Sequence, residues 1–328
     1  MNRFESFIAS LNSINEKNFD DIALAVFRYQ AEFNLVYSKY IKSLKVKPHE
    51  IASVDQIPFL PISFFKSHTV KSGSWDSDFF FLSSGTTGQD VSKHEIWSTD
   101  FYISRAIQIF ENRFGSLKNF HLLALLPSYL EREGSSLVSM INGFIQATQS
   151  SHSGFYLHNH QTLLEMIKAL KGKGRKVLVW GVSFALLDLA ESGNYDLSGC
   201  LVVETGGMKG RRKEIVREEL HSILRNRLNV EIVHSEYGMT ELLSQAYTDD
   251  FGYFNAPHGM KVIAREINDP FEIGLTDRTG GLNVVDIANF HSCSFIETQD
   301  LGRVRQDGRF EVLGRYDNSD IRGCNLLI

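Results

Sequence analysis

An α/β fold is what the sequence predicts: a largely parallel sheet flanked by helices, followed by a smaller, mostly β subdomain. Three observations lead there. Between residues 120 and 238 short apolar runs alternate with segments of helical periodicity, the order that gives βα units and parallel pairing. Beyond residue 250 the texture changes to shorter strands separated by Gly and Asp turns. With 328 residues, 43% hydrophobic and 22% charged, the chain can bury a large core as one α/β unit or two unequal lobes.

Taken in order, Phe19, Ile22, Val26, Phe33, Val36 and Tyr40 recur at near-helical spacing and predict one long amphipathic helix over 18–44, lying as a cover on the main body. Pro48, Pro58 and Pro61 then predict an extended connection. The runs "FHLLALLP", "KVLVWG", "CLVVETGG" and "VEIVHSEYG" read as strands, with helices over 135–148, 161–171, 183–191 and 210–228 between them. "GLNVVDIA" and "GRFEVLGRYD" read as strands of the closing subdomain. The expected division is a helical cover at 1–57, an α/β nucleotide- and acyl-binding core at 58–250, and a β subdomain with a hinge-like tail at 251–328.

Composition excludes several classes. A net charge of -5 leaves no basic excess with which to neutralise nucleic-acid phosphates. Cys200, Cys293 and Cys324 are too scattered for a disulfide framework, and no Cys/His spacing suggests zinc, so a reducing cytoplasm is expected. Glu5, Asn12 and Asn15 interrupt the N-terminal segment where a signal peptide needs an apolar run. No window approaches the ~18 apolar residues of a membrane span.

The chemistry concentrates in three stretches. Ser83, Ser84, Gly85, Thr86, Thr87 and Gly88, with Lys93 downstream, combine glycines that let amides converge on an anion with hydroxyl donors suited to phosphate. No Lys-Ser/Thr pair follows the second glycine, so this is not a Walker A loop, and by itself it reads equally as a surface turn. "HSEYGMTELLSQ" offers Tyr237 to stack on a base, Gly238 for close approach, a Thr240 hydroxyl for phosphate and a Glu241 carboxylate for Mg²⁺. Alone it reads as a strand end and a helix start capped by Thr240. In "ETQDLGRV" and "GRYDNSDIRG", Asp300 suits ribose hydroxyls and Arg315 presents a planar fork to ribose or phosphate oxygens.

These stretches, in this order, resemble the adenylate-forming superfamily of acyl-CoA synthetases, luciferases and adenylation domains. "ETGGMKG", with Gly206 and Gly207, stands where that superfamily puts adenine-contacting backbone. The resemblance implies ATP-dependent activation of a carboxylate as its acyl-adenylate, followed by attack of a thiol. It further implies that Ser84, Thr86 and Thr87 hold the β- and γ-phosphates, Tyr237 flanks adenine, Thr240 meets the α-phosphate, Glu241 holds Mg²⁺, Asp300 serves the ribose, and Arg315 the ribose or phosphate. The chain departs from the pattern at two points. "QDVS" delays the loop lysine to Lys93, and the chain stops eight residues after Asp320, where the superfamily continues into a mobile lid bearing a catalytic lysine.

That ending, with "LPSYLEREGSSLV" and "IRGCNLLI", resembles the acyl-protein synthetase (LuxE) family of the fatty acid reductase system from about Pro58 onward. The resemblance implies a long-chain fatty acid substrate, capture on an enzyme cysteine near the C-terminus, matched here by Cys324, and transfer to an acyl reductase partner. Gly323 and Arg322 beside it suit a mobile thiolate, whereas a cysteine of a docked tail would be a small buried hydrophobe. Cys293 is the alternative nucleophile.

Weaker signals keep rival classes open. "WGVSFA" sets Ser183 between a strand and a helix, as a hydrolase elbow would, although a helix-capping serine explains it better. His158 and His160 lack a third ligand in register. An acyl- or aryl-CoA ligase, a serine hydrolase or thioesterase, and a non-catalytic nucleotide-binding scaffold are the alternatives.

Overall fold

The four apolar runs at the middle of the chain do form strands, and their pairing is parallel. The computed structural model describes residues 3–83, 91–126, 134–157, 159–206 and 215–316. These fall into two compact units, residues 75–257 and residues 1–74 with 258–328.

In the 75–257 unit the strand order is Gly154–Phe155, Phe120–Leu125, Lys176–Val182, Leu201–Thr205 and Val233–Tyr237, all parallel, continued by Ala246–Thr248 and Phe254–Asn255 in antiparallel pairing. Every residue of Phe120–Leu125, Leu201–Thr205 and Val233–Tyr237 is buried, which is why the first two read as nearly unbroken apolar runs and not as alternating ones, while the third buries His234, Ser235 and Glu236 as well. Helices Ser136–Thr148, His160–Leu170, Ser183–Ser192 and Arg217–Leu228 supply the intervening connections. The helix Thr99–Phe114 is additional to those the sequence predicts. Its Ser98 Oγ accepts from the Phe101 amide at 3.1 Å, and Gly115 ends it at φ +86°, a conformation that favours glycine. Trp180 anchors the core of this unit, its ring 5.8 Å from Phe144 and 6.0 Å from Tyr247.

A separate hairpin, Phe79–Leu82 with Lys93–Ile96, brackets the Ser/Gly/Thr loop. Its register pairs Phe81 with His94 and Leu82 with Lys93, so Ser83 and Ser92 stand opposite each other at the loop base. There the Ser83 amide donates to the Ser92 carbonyl at 3.0 Å, and the Ser92 amide donates to Ser83 Oγ at 2.8 Å.

In the unit of 1–74 and 258–328 the strands run antiparallel in the order Ile273–Leu275, Met260–Arg265, Thr279–Asp286, Phe295–Val304 and Phe310–Arg315, with Leu60–Pro61 added parallel to Phe295–Val304. The expected 18–44 helix is broken in two, Phe19–Phe33 and Leu35–Ser43. Asn34 is the cause: its backbone is extended, its side-chain oxygen accepts from the Tyr37 amide at 2.9 Å, and its amide donates to the Ser292 carbonyl at 2.9 Å. An asparagine that satisfies a fresh helix start competes with continuation of the helix before it. The proline-rich connection is not uniformly extended. It holds 3-10 turns at Pro48–Glu50 and Val54–Gln56 and a short helix at Phe64–Ser67.

Candidate functional site

In an open parallel sheet the crevice beyond the carboxyl ends of the strands is where ligands bind. Two sequence-predicted segments lie at such ends. Leu201–Thr205 runs into Gly206, which is exposed at φ +73°, a left-handed conformation that a side chain would strain. Val233–Tyr237 runs into Gly238, Met239 and Thr240, which are exposed or half-buried, and then into the buried Glu241. No helix starts here, so Thr240 is not a helix cap; residues 238–245 form turns before the Ala246–Thr248 strand. Tyr237 packs its ring on Phe254 at 5.8 Å between centroids.

Beneath these turns lie two carboxylates that the sequence reading did not single out. Glu204 accepts from Ser183 Oγ at 2.7 Å and Ser235 Oγ at 2.5 Å, and lies 3.6 Å from His221 Nε2. Burial alone would raise its pKa, but His221 and the two hydroxyls outweigh that, and the carboxyl ends below its ordinary value. Glu236 accepts a short hydrogen bond from the Thr205 hydroxyl. A Cβ on Gly238 would stand 2.3 Å from Glu236 Oε1, so glycine is what lets the turn close over this carboxylate. One carboxylate thus joins three chain segments and the other joins two neighbouring strand ends.

The Glu204 cluster also answers the elbow reading of Ser183. Ser183 is 2% exposed and its proton is committed to a carboxylate. It is not the cap either, since Val182 holds the N-cap position and Ser183 is the first helical residue. A hydrolytic triad needs the acid to orient one imidazole nitrogen while the other faces the serine. Here both Ser235 Oγ, at 3.1 Å, and Glu204 lie at His221 Nε2.

The hairpin meets this region through His94. The side chain is fully buried, and its Nδ1 lies 2.8 Å from the Thr240 carbonyl oxygen. A carbonyl only accepts, so the proton sits on Nδ1. Lys93, on the opposite face of the strand, has its Nζ 2.6 Å from Glu95 Oε1 and 4.5 Å from the centre of the Phe80 ring. In the other unit, Asp300 and Arg315 are cross-strand partners, with Arg315 Nε 3.1 Å from Asp300 Oδ1; the arginine side chain is 66% exposed and the aspartate 7%. The structure therefore brings Ser83, Gly206, Tyr237, Gly238, Thr240 and Glu241 into one unit and Asp300 with Arg315 into the other. Ser84, Gly85, Thr86, Thr87, Gly88, His158, Gly207 and Cys324 lie outside the described residues.

Cys293 fits the role of a nucleophile poorly. It is fully buried, its thiol donates to the Phe295 carbonyl at 3.5 Å, and burial pushes its pKa up to about 12. Cys200 is half-buried just before its strand, where burial pushes it up to about 11. For a divalent cation, no group of three His, Cys, Asp or Glu among the described residues forms a ligand cluster. The Glu241 carboxylate fits Mg²⁺ carried in on phosphate oxygens, which needs only one or two protein carboxylates. No helix among the described residues is long and apolar enough to cross a membrane.

No family model matches the chain, and no curated protein sequence does. Solved structures do. ATP-bound MatB from Rhodopseudomonas palustris superposes with a TM-score of 0.53 at 16% identity, covering 73% of this chain and 48% of that one. An open conformation of 2-hydroxyisobutyryl-CoA ligase, in complex with 2-HIB-AMP and CoA, gives 0.66 at 12% identity over 91% of this chain and 74% of that one. A double mutant of o-succinylbenzoate CoA synthetase (MenE) from Bacillus subtilis gives 0.52 at 17% identity over 74% and 50%. The chain spans about half the length of MatB and MenE. The likeness establishes the fold: mixed α/β, with a large, mostly parallel sheet flanked by helices, as in the adenylate-forming enzymes.

Proposed function

We propose that this chain is an ATP-dependent, AMP-forming acyl-protein synthetase of the cytoplasm, acting on a carboxylic acid of the fatty class. The observation that carries the reading is the hydrogen bond from His94 to the Thr240 carbonyl, because it joins the Ser/Gly/Thr hairpin to the YGMTE turn at the strand ends of an adenylate-forming fold. The strand that follows the first motif thereby touches the second.

In the proposed first step, a carboxylate oxygen of the acid attacks the α-phosphorus of ATP. An acyl–phosphate bond forms, the bond to the bridging oxygen breaks, and pyrophosphate leaves. The Thr240 hydroxyl faces the α-phosphoryl, the hydroxyls of Ser84, Thr86 and Thr87 serve the β- and γ-phosphates, Gly206 and Tyr237 border the adenine, and Asp300 and Arg315 hold the ribose. Donors fixed before the reaction stabilise the charge that develops on the α-phosphoryl and the leaving group. Glu241 would hold Mg²⁺, which would supply further charge neutralisation. In the second step the Cys324 thiol attacks the acyl carbonyl, gives up its proton and displaces AMP to form a thioester, from which an acyl reductase partner takes the acyl group. The suppressed ionisation of Cys293 and Cys200 supports Cys324 as the acceptor.

The test is incubation with Mg-ATP and a radiolabelled fatty acid, followed by neutral hydroxylamine. Hydroxylamine-labile label on the wild type and none on Cys324→Ser is expected; equal label on the variant would remove Cys324 from the mechanism. A second reading, a CoA ligase, is favoured by the CoA bound in the 2-hydroxyisobutyryl-CoA ligase structure. It predicts CoA-dependent AMP release that Cys324→Ser leaves intact.

A further inference from the structure

We infer that His94 is a positioning residue for adenylation, acting through the backbone of Thr240 and not on the substrate. The inference rests on the nucleotide-site reading above and adds a residue that the motifs do not contain.

The strand Lys93–Ile96 shows why. Lys93 and Glu95 pair with each other on one face, while His94 and Ile96 are fully buried on the other, and His94 stands opposite the equally buried Phe81. An imidazole set in an apolar position needs a hydrogen-bond partner to be stable there. For Nδ1 that partner is a backbone carbonyl 146 residues away, in the middle of the YGMTE turn. Thr240 is half-buried and lies in a turn without helical or strand bonding of its own, so its carbonyl has no ladder to fix it. The short base of the hairpin, closed by Ser83 and Ser92, makes the other end of the linkage rigid. His94 therefore fixes the turn that meets the α-phosphate against the strand Lys93–Ile96. Displacement at the α-phosphorus needs that turn correctly placed, and an error there acts on the transition state more than on ground-state binding.

Three forms of the full-length protein test this: the wild type, His94→Asn and His94→Leu. Asparagine can place an amide donor near the position of imidazole Nδ1; leucine fills similar space without a donor. In acid-dependent ATP–pyrophosphate exchange, His94→Leu should lose about tenfold or more in kcat with KM for ATP within about threefold, and His94→Asn should recover most of the loss. Amide hydrogen exchange on the nucleotide-free protein reads the linkage without any activity. Exchange in 237–245 should quicken about tenfold in His94→Leu and stay near the wild-type rate in His94→Asn. Equal loss in both variants, a change confined to KM, or unchanged protection of 237–245 in His94→Leu would overturn the inference. A wild type with no pyrophosphate exchange would instead sink the functional reading, while hydrogen exchange would still decide the linkage.

Discussion

In the unit of residues 75–257 two buried carboxylates stand directly under exposed turns, whereas in the unit of 1–74 and 258–328 the buried Gln30 and Arg265 tie separate chain segments to one another. Glu204 precedes the exposed Gly206 by two residues, and Glu236 precedes the exposed Gly238 by two. In the other unit the Gln30 amide donates to the carbonyls of Asn289 and Phe290 at 3.1 Å and Ser292 at 3.2 Å, while the Ser294 amide donates back to Gln30 Oε1 at 2.9 Å. Arg265, 1% exposed, donates to Asn283 Oδ1 at 3.1 Å, the Thr298 carbonyl at 2.9 Å and the Tyr316 hydroxyl. Burying such groups is costly in both places. In one unit the return is a fixed set of strand-end turns; in the other it is closure of a discontinuous fold.

That contrast predicts the largest stability loss at Arg265. Its guanidinium occupies space kept open by Gly281, where a Cβ would fall 2.5 Å from Arg265 Cζ. Arg265→Met would strand Asn283, the Thr298 carbonyl and Glu297, whose carboxyl burial already pushes upward against the favourable charge of Arg265. A loss of about 3–5 kcal/mol in urea unfolding is expected, in line with breaking one side of a buried polar network. A loss below about 1 kcal/mol would mean that this unit does not depend on its buried cation.

Glu204→Gln should come next, at about 2–4 kcal/mol, because it replaces an acceptor of charge-assisted bonds by a group that meets the Ser183, Ser235 and His221 donors with an amide. Its pH dependence sharpens the comparison. The folded carboxyl titrates below its ordinary value of 4.5, so its contribution is complete above that pH and is lost as pH falls through the folded value. Stability measured downward from pH 4.5 should fall more steeply in the wild type than in Glu204→Gln. A parallel pair of curves would show that the Glu204 carboxyl binds protons alike in the folded and the unfolded chain.

Gln30→Leu follows, at about 1–3 kcal/mol, since it removes donors from backbone carbonyls and leaves the Ser294 amide without its side-chain acceptor. Unfolding followed by probes in both units should show whether this loss is confined to the unit of 1–74 and 258–328. An equal effect on probes in 75–257 would mean that the two units unfold as one.

What the sequence made legible follows the same division. Phe120–Leu125, Lys176–Val182 and Leu201–Thr205 are readable because burial on both faces writes mainly apolar runs, whereas Val233–Tyr237 is buried yet carries His234, Ser235 and Glu236. The turns bearing Gly206 and Tyr237–Glu241 are readable because glycine and hydroxyl residues cluster where the runs stop. Glu204, Glu236 and His94 were not, since a charged or polar residue inside a strand says nothing of its partner until neighbouring strand ends are set side by side. The alternation in "KHEI" was the available signal for His94. Asn34 was hidden for a related reason: helical periodicity runs on through 36 and 40, and what breaks the helix is a bond to Ser292, 258 residues away.

The smallest expected effect is at Lys93, and it bears directly on the role proposed for the Ser/Gly/Thr loop. Its ammonium is paired with Glu95 at 2.6 Å and rests on the Phe80 ring, yet the side chain remains 46% exposed. An exposed ion pair is worth about 0–1 kcal/mol, so Lys93→Ala should barely move the unfolding midpoint. The catalytic consequence divides two roles cleanly. If the lysine leaves Glu95 to meet the β- or γ-phosphate, Lys93→Ala raises KM for ATP or lowers kcat while Glu95→Gln, which frees the lysine, does not. If the pair only braces the hairpin, the two variants behave alike. The 2.6 Å contact and the cation held over Phe80 favour the brace, and matched kinetics in the two variants are the expected result.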